Sequence, residues 1–162
     1  MRPHLICLAL ALLTTAAFAE EKEITVNVGG AAELKLSVPK EAEVTTKGAE
    51  TSIHSTGLWI YLWRPAGAKT VDELVPRVGD LIKGQFVKYV VESTESIKVA
   101  GHEAKHFKGK GEEADDNDPG TADVVIFTDG KNVFAACVHG ERDEAVKERP
   151  ALLKALESIK AP

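Results

Sequence analysis

The sequence predicts an α+β domain, and three observations carry that prediction. Short segments of alternating apolar and polar residues recur through most of the chain. Only two later stretches repeat their apolar residues at helical spacing. Both lie outside the order of strands rather than between successive parallel ones, the arrangement expected of segregated helices and an antiparallel sheet. The element order is a hairpin, strands, a helix, an antiparallel run of strands and a C-terminal helix, with no internal repeat and no low-complexity linker.

The first 19 residues are set apart. A basic start, Met1-Arg2-Pro3-His4, runs into an apolar stretch over residues 5–13, then small residues ending Ala17-Phe18-Ala19 before Glu20-Glu21. This is the pattern of a secretory signal peptide cut after Ala19. The apolar run is shorter than the ~20 residues a spanning helix needs. Cleavage of 19 from 162 residues leaves 143, residues 20–162, expected to form a single domain with a real core. No second long apolar segment follows, so a soluble product without membrane insertion is expected, periplasmic or secreted. The leader holds one Arg and no acid, so the net charge moves from −5 to −6 on cleavage. Such a surface repels phosphate backbones and argues against nucleic acid as a partner. Cys7 leaves with the leader, and Cys137 then has no partner for an internal disulfide.

Each element follows from local pattern. Ile24, Val26 and Val28 alternate with polar residues, glycines follow, and Leu34, Leu36 and Val38 alternate again: a β-hairpin with one buried face. Residues 40–57 are polar and Thr-rich, with a short strand expected near 52–55. Residues 58–63 are apolar at every position, which predicts a strand covered on both faces in the centre of the sheet. Thr70 followed by Glu73 is a capping box, and Val71, Leu74, Val75, Val78, Leu81 and Ile82 continue at helical spacing over 71–83. Pro76 and Gly79 inside that stretch predict a kink or an irregular turn. Strands are expected at 86–92 and 96–99, and again at 102–108 after the Ala100-Gly101 turn. Gly109 and Gly111 then loosen the chain, and the acidic segment 112–120, ending Asp118-Pro119-Gly120, reads as an exposed loop. Residues 122–128 and 132–139 flank Asp129-Gly130, a hairpin signal. Residues 143–160 read as helical, with Pro150 as a breaker or the start of a second helix and Leu152, Leu153, Leu156 and Ile159 facing the core.

Several of these segments together resemble the PsbP-like superfamily: Leu36-Ser37-Val38-Pro39, the 58–63 strand, Thr70-Val71-Asp72-Glu73-Leu74, Val99-Ala100-Gly101-His102-Glu103-Ala104 and the closing 152–160 helix. The resemblance spans about residues 24–160 and rests on element order and turn residues. It implies a curved antiparallel sheet sandwiched between helices, an α/β/α arrangement in a non-catalytic accessory or binding role. It transfers no functional residue.

Four constellations offer chemistry. His102-Glu103-Ala104-Lys105-His106 matches H-E-x-x-H, which on a helix holds zinc between two His with Glu as general base. Here Gly101 and Gly109 leave barely two turns, without an apolar stripe, so a hairpin strand with exposed His is the expectation. Glu112, Glu113, Asp115, Asp116 and Asp118 are dense in carboxylates, but Pro119 and Ile126 stand where an EF-hand loop needs ligands. Cys137 and His139 share one face of a strand and would need a third ligand, His54, His102 or His106, to hold a soft metal. Cys137 is otherwise a small buried hydrophobe. Trp59, Tyr61 and Trp63 share one face of the 58–63 strand. Covered by the Thr70 helix they are core, which is the expectation; left partly open, they are the ligand platform the sequence offers.

No nucleophile elbow, phosphate-binding glycine loop, dinucleotide fingerprint or CxxC occurs in the sequence. The expectation is therefore an exported, non-enzymatic binding or accessory domain of the bacterial envelope, with no cofactor and with an unspecified protein or small molecule as partner. The alternatives are a zinc hydrolase using His102, Glu103 and His106, or a metal or thiol protein using Cys137 and His139.

Overall fold

The computed structural model describes residues 20–30, 32–55, 57–140 and 142–160; the leader lies outside them. Strand β1 (Glu21–Val28) and strand β2 (Ala32–Pro39) form a separate two-stranded antiparallel sheet, as their alternation predicts. Gly29 and Gly30 take φ of +66° and +72° in the connecting turn, a backbone that side chains resist. The inward residues Val26, Val28, Leu34, Leu36 and Val38 are all buried.

The remaining strands make one seven-stranded antiparallel sheet, in the order β3 (Glu43–Lys47), β4 (Glu50–Ser55), β5 (Leu58–Trp63), β9 (Val133–Gly140), β8 (Pro119–Thr128), β7 (His102–Glu113) and β6 (Phe86–Val99). Strand β5 is interior but not central, which corrects the sequence expectation. The middle place belongs to β9, whose residues from Val133 to Val138 are buried at every position. Strand β3 escaped the sequence reading because it is an edge, exposed at all five residues, and so carries no alternation.

Strand β6 is one 14-residue strand instead of two. Its register shifts between Val87 and Val90 and again between Val91 and Ser93, with Lys88 at φ +53°. These bulges explain why the pattern looked interrupted. Strand β7 likewise runs through Gly109 and Gly111. A Cβ at Gly109 would lie 2.4 Å from the Val90 carbonyl oxygen, and one at Gly111 would lie 2.7 Å from that of Val87. Both glycines are present because β6 crowds them, not to end the strand.

The stretch after Thr70 divides, as Pro76 requires, into helix α1 (Val71–Leu74), a 3₁₀ turn (Val75–Arg77) and helix α2 (Val78–Leu81). Thr70 Oγ1 accepts from the Glu73 amide at 3.3 Å and caps the start. Helix α3 (Arg142–Glu157) instead continues through Pro150. An interior Pro costs ~3 kcal/mol. That cost is carried because the same helix buries Leu152, Ala155 and Leu156, and Ile159 follows.

The helices lie on opposite faces of the sheet, the α+β sandwich expected, but the two layers are unequal. On one face α3 and the β1–β2 hairpin together bury Ile53, Leu58, Ile60, Leu62, Phe127 and Phe134. They are tied to each other by the Lys35–Lys160 bridge and by Ser158 Oγ, which accepts from the Ser37 amide at 2.8 Å. On the other face the short α1–α2 segment covers Phe86, Phe107, Val124, Ile126 and Cys137. This second cover is too short to reach across the sheet. Among the described residues, no helix is long and apolar enough to cross a membrane.

Candidate functional site

The unequal cover leaves one part of the sheet face open. Pairing sets His54 of β4 opposite Trp59 of β5, and Trp59 opposite His139 of β9, so their side chains emerge on one side. They form a row of near-parallel rings: His54 on Trp59 at 4.1 Å, Trp59 beside Tyr61 at 6.0 Å, and Tyr61 beside His139 at 5.4 Å. Phe86 closes the row edge-on to His139 at 5.2 Å. Trp59, Tyr61 and Trp63 are each half-buried, while Leu58, Ile60 and Leu62 between them are sealed. This corrects the expectation that both faces of β5 are core. Tyr61 and Trp63 pack against the α1–α2 core, and the row beyond them is only partly covered.

At one end of the row the chain folds over the rings to make a cleft of about 270 Å³. Tyr61 and His139 contribute ring surfaces to it. Glu50, at the start of β4, Gln85, before β6, and Glu113 with Asp115, at the end of β7, also line it. The Ala114 amide donates to the Gln85 carbonyl at 2.9 Å, and Gln85 Nε2 donates to Glu50 at 3.4 Å, which joins the walls. Burial holds His139 down to about 4, so its imidazole is neutral at physiological pH. The Tyr61 hydroxyl is pushed up by burial and then by the field of Glu50, with Asp115 and Glu113 adding to it. His139 Nε2 is buried with no hydrogen-bond partner among the described residues.

With this geometry in view, a likeness to solved structures settles the fold. The solution structure of cyanobacterial PsbP (CyanoP) from Synechocystis sp. PCC 6803 superposes with a TM-score of 0.59, covering 94% of this chain and 99% of that one at 12% identity. The chain has the PsbP-like fold. A crystal structure of a Pseudomonas aeruginosa protein of unknown function matches at a TM-score of 0.49 and 12% identity, over 84% of this chain and 94% of that one. No family model matches the sequence, and no curated protein sequence does.

The PsbP-like sheet also decides the other sequence candidates. His102, Glu103 and His106 lie on strand β7, not on a helix. Four residues of strand separate the two His by ~13 Å, too far to share one zinc ion. His102 and Glu103 are exposed, but His106 is not, which corrects the expectation of an exposed pair. His106 is 4% exposed, with Nδ1 2.8 Å from Glu95 and Nε2 2.7 Å from Asp123, itself 1% exposed. His106 is thus held between two carboxylates, one at each ring nitrogen. Arg149 of α3 reaches the far oxygen of Asp123 at 3.1 Å, close but not aligned for a hydrogen bond, while its Nη2 donates to Thr121 Oγ1 at 2.6 Å. This Glu95–His106–Asp123–Arg149 chain lies beneath α3 and fastens it to the sheet.

Cys137 is fully buried, and burial pushes its thiol above the ordinary range, so it carries little thiolate. It shares a face with His139, as strand parity predicts. No described group of ligand atoms joins Cys137 and His139; the closely spaced set among the described residues is Glu113, Asp115 and Asp116. The acidic segment is less a loop than expected, because Glu112 and Glu113 belong to β7.

The sequence reading missed Glu50 and Gln85 in the open face and Arg149 in the buried chain, and named His54 only as a possible third ligand beside Cys137 and His139. Parity within a strand places Cys137 with His139, but only cross-strand register brings His54 and His139 to either side of Trp59.

Proposed function

We propose that this chain is an exported, non-enzymatic binding domain of the bacterial envelope, and that it binds through the aromatic row His54, Trp59, Tyr61 and His139. One observation carries the reading: the two faces of strand β5 are treated differently. The Leu58, Ile60 and Leu62 side is sealed by α3 and the hairpin, whereas the aromatic side is only partly buried and lies beside a cleft. Partly exposed rings in a row leave apolar surface in water, and such surfaces are characteristic of binding faces. Two reactive groups are unsuited to catalysis: His106 is engaged on both nitrogens, and Cys137 is sealed as a thiol. The leader pattern over residues 1–19 supports export.

The test is site-specific photocrosslinking in the native cell. A photoreactive phenylalanine analogue at Trp59 or His54 is expected to give discrete adducts in the envelope fraction. The same analogue at Val44, an exposed residue of the β3 edge, serves as the control. Equal adducts at all three positions, or none at Trp59 and His54, would refute the reading. N-terminal sequencing of the exported chain, expected to begin at Glu20, checks its location.

A further inference from the structure

From the cleft at the end of the aromatic row we infer that the site takes an organic cation, specifically a planar guanidinium group on a short alkyl stem. The inference rests on the binding role proposed for this face and names the chemistry it selects. Three features of different origin converge. Carboxylates reach the cleft from two separate places in the chain: Glu50 from β4, and Glu113 with Asp115 from the end of β7 and the turn beyond it. No Lys or Arg is among the residues that line it. Tyr61 and His139 contribute ring surfaces, their planes within 9° of each other.

An aromatic face attracts a cation through its ring quadrupole, and a partly desolvated site strengthens that attraction. The neutral state of His139 at physiological pH keeps its ring from opposing a positive ligand. A guanidinium suits this cleft better than an ammonium for two reasons. It is flat and less strongly hydrated, so it stacks on rings at lower desolvation cost, and its five donors serve carboxylates arriving from several directions. The volume of about 270 Å³ admits a head group and stem but falls below the size of pockets for drug-sized ligands. The ligand is therefore either a free guanidino compound or the single Arg side chain of a protein partner, and the experiment separates the two.

Amide NMR spectra of the full exported chain are titrated with n-butylguanidinium, and in parallel with n-butylammonium, n-butanol and butyrate. The guanidinium is expected to shift the amides of Tyr61, Gln85, Asp115 and His139 saturably, with a Kd of about 1 to 10 mM for so few atoms. Butylammonium should bind more weakly, and the neutral and anionic analogues should leave those amides unmoved. Glu50→Gln and Asp115→Asn, which preserve shape, should each weaken binding about fivefold. Ser52→Ala, on β4 outside the cleft, should not. The peptide acetyl-Gly-Arg-Gly-amide binding tenfold tighter than butylguanidinium assigns the site to a partner's Arg; equal affinities assign it to a free compound.

The inference is overturned if guanidinium gives no saturable shift, if both carboxamide variants bind it unchanged, or if calcium chloride alone saturates the same amides at lower concentration. If n-butanol or butyrate moves these amides and guanidinium does not, the binding face stands and only its chemistry is wrong. Loss of the Trp59 photoadducts with guanidinium binding intact would refute the broader reading while leaving the cation site in place.

Discussion

The most informative single perturbation is Asp123→Asn, beneath helix α3. Asp123 is 1% exposed and faces two donors, His106 Nε2 at 2.7 Å and Arg149 Nε at 3.1 Å. The substitution keeps the volume and removes the charge. An amide can offer its single oxygen to one donor and must turn its NH₂ toward the other, so one of the two loses its contact with Asp123. Breaking a fully buried pair this way costs ~3–5 kcal/mol. Arg149 keeps 20% of its side-chain exposure and also donates to Thr121, and its contact with Asp123 is poorly aligned, so the cost falls to the foot of that range or just below it. We expect a loss of ~2–3 kcal/mol, a large part of the ~5–15 kcal/mol that holds a domain of this size. With a urea m-value of ~1–3 kcal/mol/M the midpoint falls by about 0.7 to 3 M. Arg149→Met is expected to cost ~1–2 kcal/mol, and the double mutant ~1 kcal/mol less than the sum of the single changes, because both remove one shared contact. Hydrogen exchange should localise the loss, with α3 amides released before those of β9. An Asp123→Asn midpoint within ~0.5 kcal/mol of the parent would refute the view that this chain of charges fastens the helix.

Three further outcomes follow from the same structure. Ile60→Ala should cost ~3–4 kcal/mol by chemical denaturation, because Ile60 is sealed, whereas Trp59→Ala, one residue away on the half-open face, should cost about half as much; equal losses would mean that both faces are core. His139 is held down to about 4 in the folded chain against 6.5 when free, so the unfolded state binds its proton first and stability is lost as pH falls from 6.5 toward 4, with a slope approaching ~1.4 kcal/mol per pH unit. His139→Gln should flatten the denaturation midpoint over that window, and a ring titrating near 6.5 by NMR would contradict the assignment. Cys137 should resist iodoacetamide in the native protein at pH 8 and react on unfolding in urea, as mass spectrometry of the labelled peptide would report; rapid native labelling would show that β9 opens.

The strands and helices of this chain were legible because their signals are local. Alternation marked the β1–β2 hairpin, six apolar residues in succession marked β5, and Thr70 with Glu73 marked the start of α1. Pro76 forecast the broken helix correctly, but Pro150 did not break α3, since burial of Leu152 and Leu156 against the sheet outweighs one lost backbone bond. Elements whose identity depends on neighbours were hidden. Strand β3 is polar because it lies at an edge, and Gly109 and Gly111 looked like breakers although they accommodate the bulged β6.

The site divides along the same line. The sequence alone placed Trp59, Tyr61 and Trp63 on one face of a strand and Cys137 with His139 on one face of another, since side chains alternate along any strand. Whether those faces are open, and what stands beside them, depends on strand order, register and the reach of the α1–α2 cover. Tertiary structure alone brought Glu50, Gln85 and Asp115 around Tyr61 and His139, and buried His106 between Glu95 and Asp123. These groups are distant along the chain, and a one-residue change of register would turn each of them to the opposite face of the sheet.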